Sequence, residues 1–137
     1  MVSKTKTPHI VPLSTQALAI LHDLRALTGD GEYVFSINGK SPISDGTVNK
    51  ALRRLGFDTK TEFTAHGFRA MARTMLSERL KMRTEIIEHQ LAHKVPDALC
   101  TAYNRTKFLD DRKIMMQTWG DYLDELKASA AVIKMWA

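Results

Sequence analysis

In STQALAILHDLRALTG (residues 14 to 29), Leu18, Leu21 and Leu24 recur at the spacing that lines one face of a helix, with Ser14 placed to cap its start and Gly29 to stop it. The same periodicity returns in SDGTVNKALRRLG. There Ser44 is placed as the cap, Val48, Ala51, Leu52 and Leu55 share a face, and Lys50, Arg53 and Arg54 look away from it. Thr64 opens a third amphipathic stretch whose apolar side is Phe68, Met71, Ala72, Met75, Leu76 and Leu80, with His66, Arg69 and Arg73 along the other side. Thr84 begins TEIIEHQLAH, a further helix that Pro96 follows; ALCTAYNR reads as a short helix and FLDDRKIMMQTWGDYLDELKA as a long one. Two apolar runs are too short for this treatment: HIVPL (9 to 13) predicts a strand with a basic hairpin before it, and EYVFS a second extended piece ended by the turn-like INGKSP. The pattern therefore predicts a mainly α protein with a small β-sheet or hairpin near its N-terminus.

Composition narrows the class. With 137 residues, 44% hydrophobic and 26% charged, the chain can bury a core as one domain and is not of disordered composition. A formal charge of +5 and a pI near 9.5 make polyanions plausible partners, although such an excess of lysine and arginine also occurs in proteins that bind none. The single cysteine, Cys100, excludes an internal disulfide and a cysteine-rich zinc site, in keeping with a cytoplasmic location. No stretch approaches the roughly 18 apolar residues of a membrane span, so no membrane partner is expected. The apolar end of the tail, Val132, Ile133, Met135 and Trp136, calls for a surface to cover it.

Three small patterns carry candidate chemistry. His66 and Arg69, three apart on a helix, can reach one anion together, although H-x-x-R by itself is common and reads first as an ordinary surface pair. His89 and His93 in IEHQLAHK have the spacing of helical metal ligands, but the glutamate precedes the pair instead of lying inside it, and no spacing points to a third ligand. Tyr103 in TAYNR sits ten positions after His93 and beside Arg105, and by itself reads as a core tyrosine with its hydroxyl at the surface. Lys4 and Lys6 alone are plain solvated charges.

Taken in order, KTKTPHIVPLS, TAHGFRAMARTML, IEHQLAHKV and AYNRTKFLDDRKIMMQTWGDYL resemble the catalytic domain of the tyrosine recombinases, most closely the prophage and pathogenicity-island integrases. The resemblance runs from about Lys4 to Leu126. It implies that residues 1–127 form the catalytic domain of that family, lacking its N-terminal part, with 128–137 as a C-terminal tail. It also implies an active site of Lys4 on the hairpin (Lys6 the runner-up), His66, Arg69, His93 and the nucleophile Tyr103. The activity implied is site-specific recombination that integrates a mobile element, cutting double-stranded DNA at attachment sites through a 3′-phosphotyrosine with no metal or other cofactor. Lys50, Arg53, Arg54 and Arg73 would touch the DNA backbone, and the tail would join neighbouring protomers on DNA, so that the active protein is nucleoid-associated. The family's first arginine, in a segment like R-x-G-E upstream of the hairpin, has no counterpart here, so the isolated chain is expected to be inactive. Two other readings stay open: a DNA-binding remnant of an integrase that does not cut, and a metal-dependent hydrolase built on His89 and His93.

Overall fold

A computed structural model describes residues 9–37, 39–93 and 108–134, with side chains to residue 130. Five helices are formed: α1 (Thr15–Thr28), α2 (Thr47–Arg54), α3 (Gly67–Glu78), α4 (Thr84–Gln90) and α5 (Leu109–Lys134). The chain divides into two compact units, one of Met1–Thr15 with Leu76–Ala137 and the other of Gln16–Met75.

The first unit is built on α4 and α5. Leu76, Ile86, Ile87 and Met115 are its buried apolar cluster, and Leu80, Met82, Leu91, Phe108, Met116 and Trp119 pack around them. α5 is continuous from Leu109 to Lys134. Residues 9–14 run across the unit as irregular chain, not as the strand that HIVPL predicts. Part of the reason is local and part is not: Pro12 has no N–H to give to a ladder, and the Ile10 carbonyl accepts from the distant Arg112 guanidinium instead of a neighbouring strand. The basic segment expected to form the hairpin lies outside the described residues, as does the helix expected over ALCTAYNR. Ser14 is buried immediately before α1, and the first helical N–H, that of Thr15, donates to Gln117 Oε1 of α5 at 2.9 Å.

The second unit holds α1, α2 and most of α3. Gly29 ends α1 where expected: its N–H donates to the Arg25 carbonyl at 2.8 Å, and a Cβ there would lie 2.4 Å from that oxygen. EYVFS then folds back on SPI, but the pairing amounts to one isolated antiparallel bridge, Ser36 to Pro42. Among the described residues there is no strand, so the small sheet is replaced by this turn. α2 begins two residues later than the Ser44 cap predicts. Its N-cap is Gly46, while Ser44 makes the preceding turn through its carbonyl to the Thr47 N–H and its hydroxyl to that of Thr47. Leu52 is the buried member of its apolar face; Val48 and Leu55 are exposed, as is Phe68 on α3, which stands edge-on against Phe63 at 4.5 Å between ring centres. Periodicity tells which side chains share a face, not whether a neighbour covers that face.

Candidate active site

His66 lies in the turn before α3, not on the helix. Three hydrogen bonds build that turn: Ala65 N–H to Asn49 Oδ1 of α2 at 2.8 Å, Gly67 N–H to Thr64 Oγ1 at 3.2 Å, and Arg69 N–H to the His66 carbonyl at 3.1 Å. Thr64 therefore closes this turn with its side chain, as the sequence predicts, although α3 itself begins at Gly67, three residues on, just as α2 begins three residues after Ser44. His66, Arg69 and Arg73 are all exposed, so the cationic stripe does face away from the core. Lys50, Arg53 and Arg54 are exposed on α2, and Arg53 Nη1 donates to Thr59 Oγ1 at 2.7 Å. Asn49 was not legible as a site residue; its only signal is a polar residue on a helix whose neighbours are basic or apolar.

His93 belongs to the other unit, and its placement is set by the end of α4. The His93 N–H donates to the Glu88 carbonyl at 3.0 Å and the Ala92 N–H to the His89 carbonyl at 3.1 Å, with Ala92 at φ 52. These are the two bonds of a Schellman motif, with alanine where glycine is usual. α2 ends in the same way, with glycine: Phe57 N–H to Leu52, Gly56 N–H to Arg53, and Gly56 at φ 96. The left-handed residue turns the chain so that His93 Nδ1 meets Glu88 Oε2, a contact that makes Nδ1 a donor to the carboxylate. Glu88, which sequence reading noted only as misplaced for a metal motif, is thus the partner that orients this ring.

The expected helical pair of His89 and His93 is not formed, because α4 stops at Gln90 and the turn sends the two rings different ways. His89 is buried against His9, at 5.7 Å between ring centres, and against Phe108, edge-on at 6.2 Å. His93 is exposed. No cluster of three or more potential metal ligands occurs among the described residues. No described helix is long and apolar enough to cross a membrane.

Beside His89 is a side chain that no local pattern marked. Arg112 of α5 is fully buried, with Nε donating to Gln90 Oε1 at 2.7 Å and Nη2 donating to the Ile10 carbonyl. Nη2 also lies 3.3 Å from His9 Nε2, which itself lies 3.3 Å from the Gln90 carbonyl. An arginine can only donate, so a neutral His9 serves one of these neighbours at a time, accepting from Arg112 or donating to Gln90. Burial lowers the pKa of His9, and the Arg112 and His89 charges add to that, against the raising effect of the Gln90 carbonyl. Burial also draws Arg112 below its ordinary range.

Lys4, Lys6 and Tyr103 lie outside the described residues. His66 and Arg69 are thus brought together by one turn and one helix, and His93 is set by a separate turn in the other unit.

A model of the phage integrase family matches residues 1–109. The integrase of Enterobacteria phage P4 is 46% identical over 124 residues, covering 88% of this chain and 28% of that protein. Putative protein IntB of Escherichia coli (strain K12) is 41% identical over 125 residues, 89% of this chain and 32% of its own length, and prophage integrase IntZ of the same strain is 38% identical over 130 residues, 93% and 31%. The chain spans under a third of the length of these relatives. No solved structure gives a significant match.

Proposed function

Since the chain belongs to the phage integrase family, we propose that it supplies the greater part of the catalytic domain of a tyrosine-type site-specific recombinase that integrates or excises a mobile element. The matched region contains Lys4, His66, Arg69, His93 and Tyr103 in the family's order, and that is the observation which carries the reading. The open faces of His66, Arg69 and His93 support it, since groups that meet a DNA phosphate cannot be core residues.

In the proposed reaction the Tyr103 phenolic oxygen attacks the scissile phosphorus as the bond to the 5′ oxygen breaks, giving a 3′-phosphotyrosine. His66 takes the tyrosine proton and Lys4 gives one to the departing 5′ oxygen, leaving a free hydroxyl. Arg69 holds non-bridging oxygens with its planar fork as charge builds on them. His93, with Nδ1 given to Glu88, meets a phosphate oxygen through Nε2, which donates when the ring carries both protons. Lys50, Arg53, Arg54 and Arg73 hold the duplex by its backbone, which positions DNA without reading its sequence. Residues 1–127 belong to the catalytic domain and 128–137 to a tail through which protomers associate on DNA; the protein acts in the cytoplasm, at the nucleoid.

The family's first arginine has no counterpart in these 137 residues, so the test supplies it. In a chimera, this chain replaces the aligned part of the phage P4 integrase, and the product is mixed with a nicked attachment-site duplex that traps cleavage. A protein–DNA adduct that survives denaturation and vanishes in Tyr103→Phe, with duplex binding retained, is the expected result. Binding with no adduct, from a chimera that melts as cooperatively as the parent integrase, would instead mark a DNA-binding module that does not cut.

A further inference from the structure

Arg112 poses a physical problem. A fully buried guanidinium is costly, no carboxylate among the described residues pairs with it, and its Nη1 is buried without an acceptor. An apolar side chain of similar length, such as methionine, would fill the same space without that cost, so packing alone does not account for the arginine. What it does uniquely is donate in two directions at once, to Gln90 on one side and to Ile10 on the other.

Those acceptors are not arbitrary positions. Gln90 is the last residue of α4, three before His93 and two after Glu88, its partner. Ile10 lies six residues after Lys4, and Arg112 itself nine after Tyr103, in the first turn of the helix that follows that residue. Three stretches of chain, distant in sequence, thus meet at one side chain, and one of them runs into the turn that sets His93. We propose that Arg112 is a positioning residue, a buried clamp that holds the chain at Ile10, the end of α4 leading to His93 and the first turn of α5 in register with one another. This rests on the recombinase reading for its consequence in the reaction, but not for the clamp itself. The neutral hydrogen-bonding role of His9 belongs to the same device, because its ring fills the gap between Arg112 and the Gln90 carbonyl.

Two readouts separate the clamp from a merely structural role. The first needs no catalysis: hydrogen exchange of the whole 137-residue chain, comparing Arg112→Met, Arg112→Lys and Gln90→Ala with the parent. Exchange at the amides of Leu91, Ala92, His93 and residue 112, which donate to the carbonyls of Ile87, His89, Glu88 and Phe108, should quicken by about tenfold or more in each variant, the size expected when a hydrogen bond to a charged donor is lost. The amides of Ile86, Ile87 and Met115 should keep their protection. Lysine should not rescue, since it keeps the charge but not the fork. Gln90→Ala keeps the test decisive if an Arg112 variant fails to fold. Unchanged exchange in these segments, or a uniform rise that includes the core amides, overturns the clamp.

The second readout uses the adduct-forming chimera described above, in which Arg112→Met should lower kcat with KM for the duplex unchanged. A KM effect alone would overturn the catalytic consequence. A parent chimera that forms no adduct would sink the recombinase reading while the exchange result still judged the clamp.

Discussion

Because Ile87 is among the most deeply buried of the described side chains in the first unit, Ile87→Ala should be disproportionately costly. Ile87 is 1% exposed between α4 and α5, and it touches the same cluster as Leu76, Ile86 and Met115. Truncation removes about three carbon groups at roughly 0.8 kcal/mol each, close to 2.4 kcal/mol of lost burial. The residual void, on the order of 40 Å³ at about 24 cal/mol per Å³, adds roughly 1 kcal/mol. The total of about 3.4 kcal/mol is a large share of the ~5–15 kcal/mol that a domain has in all. In urea, with a slope of about 2 kcal/mol per molar, the unfolding midpoint should fall by roughly 1.7 M. The control is Leu27→Ala, at a position 83% exposed on α1, which should stay within about 0.5 kcal/mol of the parent. If the two variants unfold at the same urea concentration with unchanged slopes, Ile87 does not hold α4 on α5, and the turn that places His93 is not anchored as described.

Other substitutions and conditions probe different levels. Ala92→Gly should stabilise the chain by about 0.5–1 kcal/mol, since glycine adopts the left-handed conformation without the penalty that alanine bears at φ 52; a lower melting temperature would contradict this. His9, whose pKa is lowered from 6.5, stays neutral in the folded chain while the unfolded chain takes up a proton. Its contribution is therefore fully present above about pH 6.5 and declines as pH falls through the window down to its folded pKa, where the loss is complete. The groups that face it, Arg112 and His89, are buried while His9 itself is partly so, and His9→Gln should flatten that limb of a stability–pH curve; an unaltered limb would assign it elsewhere. Replacing both Lys50 and Arg54 by Gln should reduce the slope of log affinity against log salt for duplex DNA by roughly 1.8, about 0.9 for each lost phosphate contact. An unchanged slope would place the DNA on another face.

The helices and one of their caps were written locally. Three- and four-residue spacing in residues 14 to 29 and 84 to 90 follows from helix geometry alone, and Gly29 and Thr64 act at ranges of three or four residues. Local logic left His66, Arg69 and His93 ambiguous; they became candidates because their types and order along the whole chain carry the family resemblance. What only the tertiary structure decided is where the unused polar groups go. HIVPL looks like a strand until the Ile10 carbonyl is seen to serve an arginine 102 residues away. The His89 and His93 pair looks like one helical face until α4 stops short between them. Arg112 reads as one more charge on an amphipathic helix, and its burial depends on acceptors 22 and 102 positions distant. Periodicity encodes which residues share a face, whereas the cost of burying a charge is settled by whatever the rest of the chain brings to meet it.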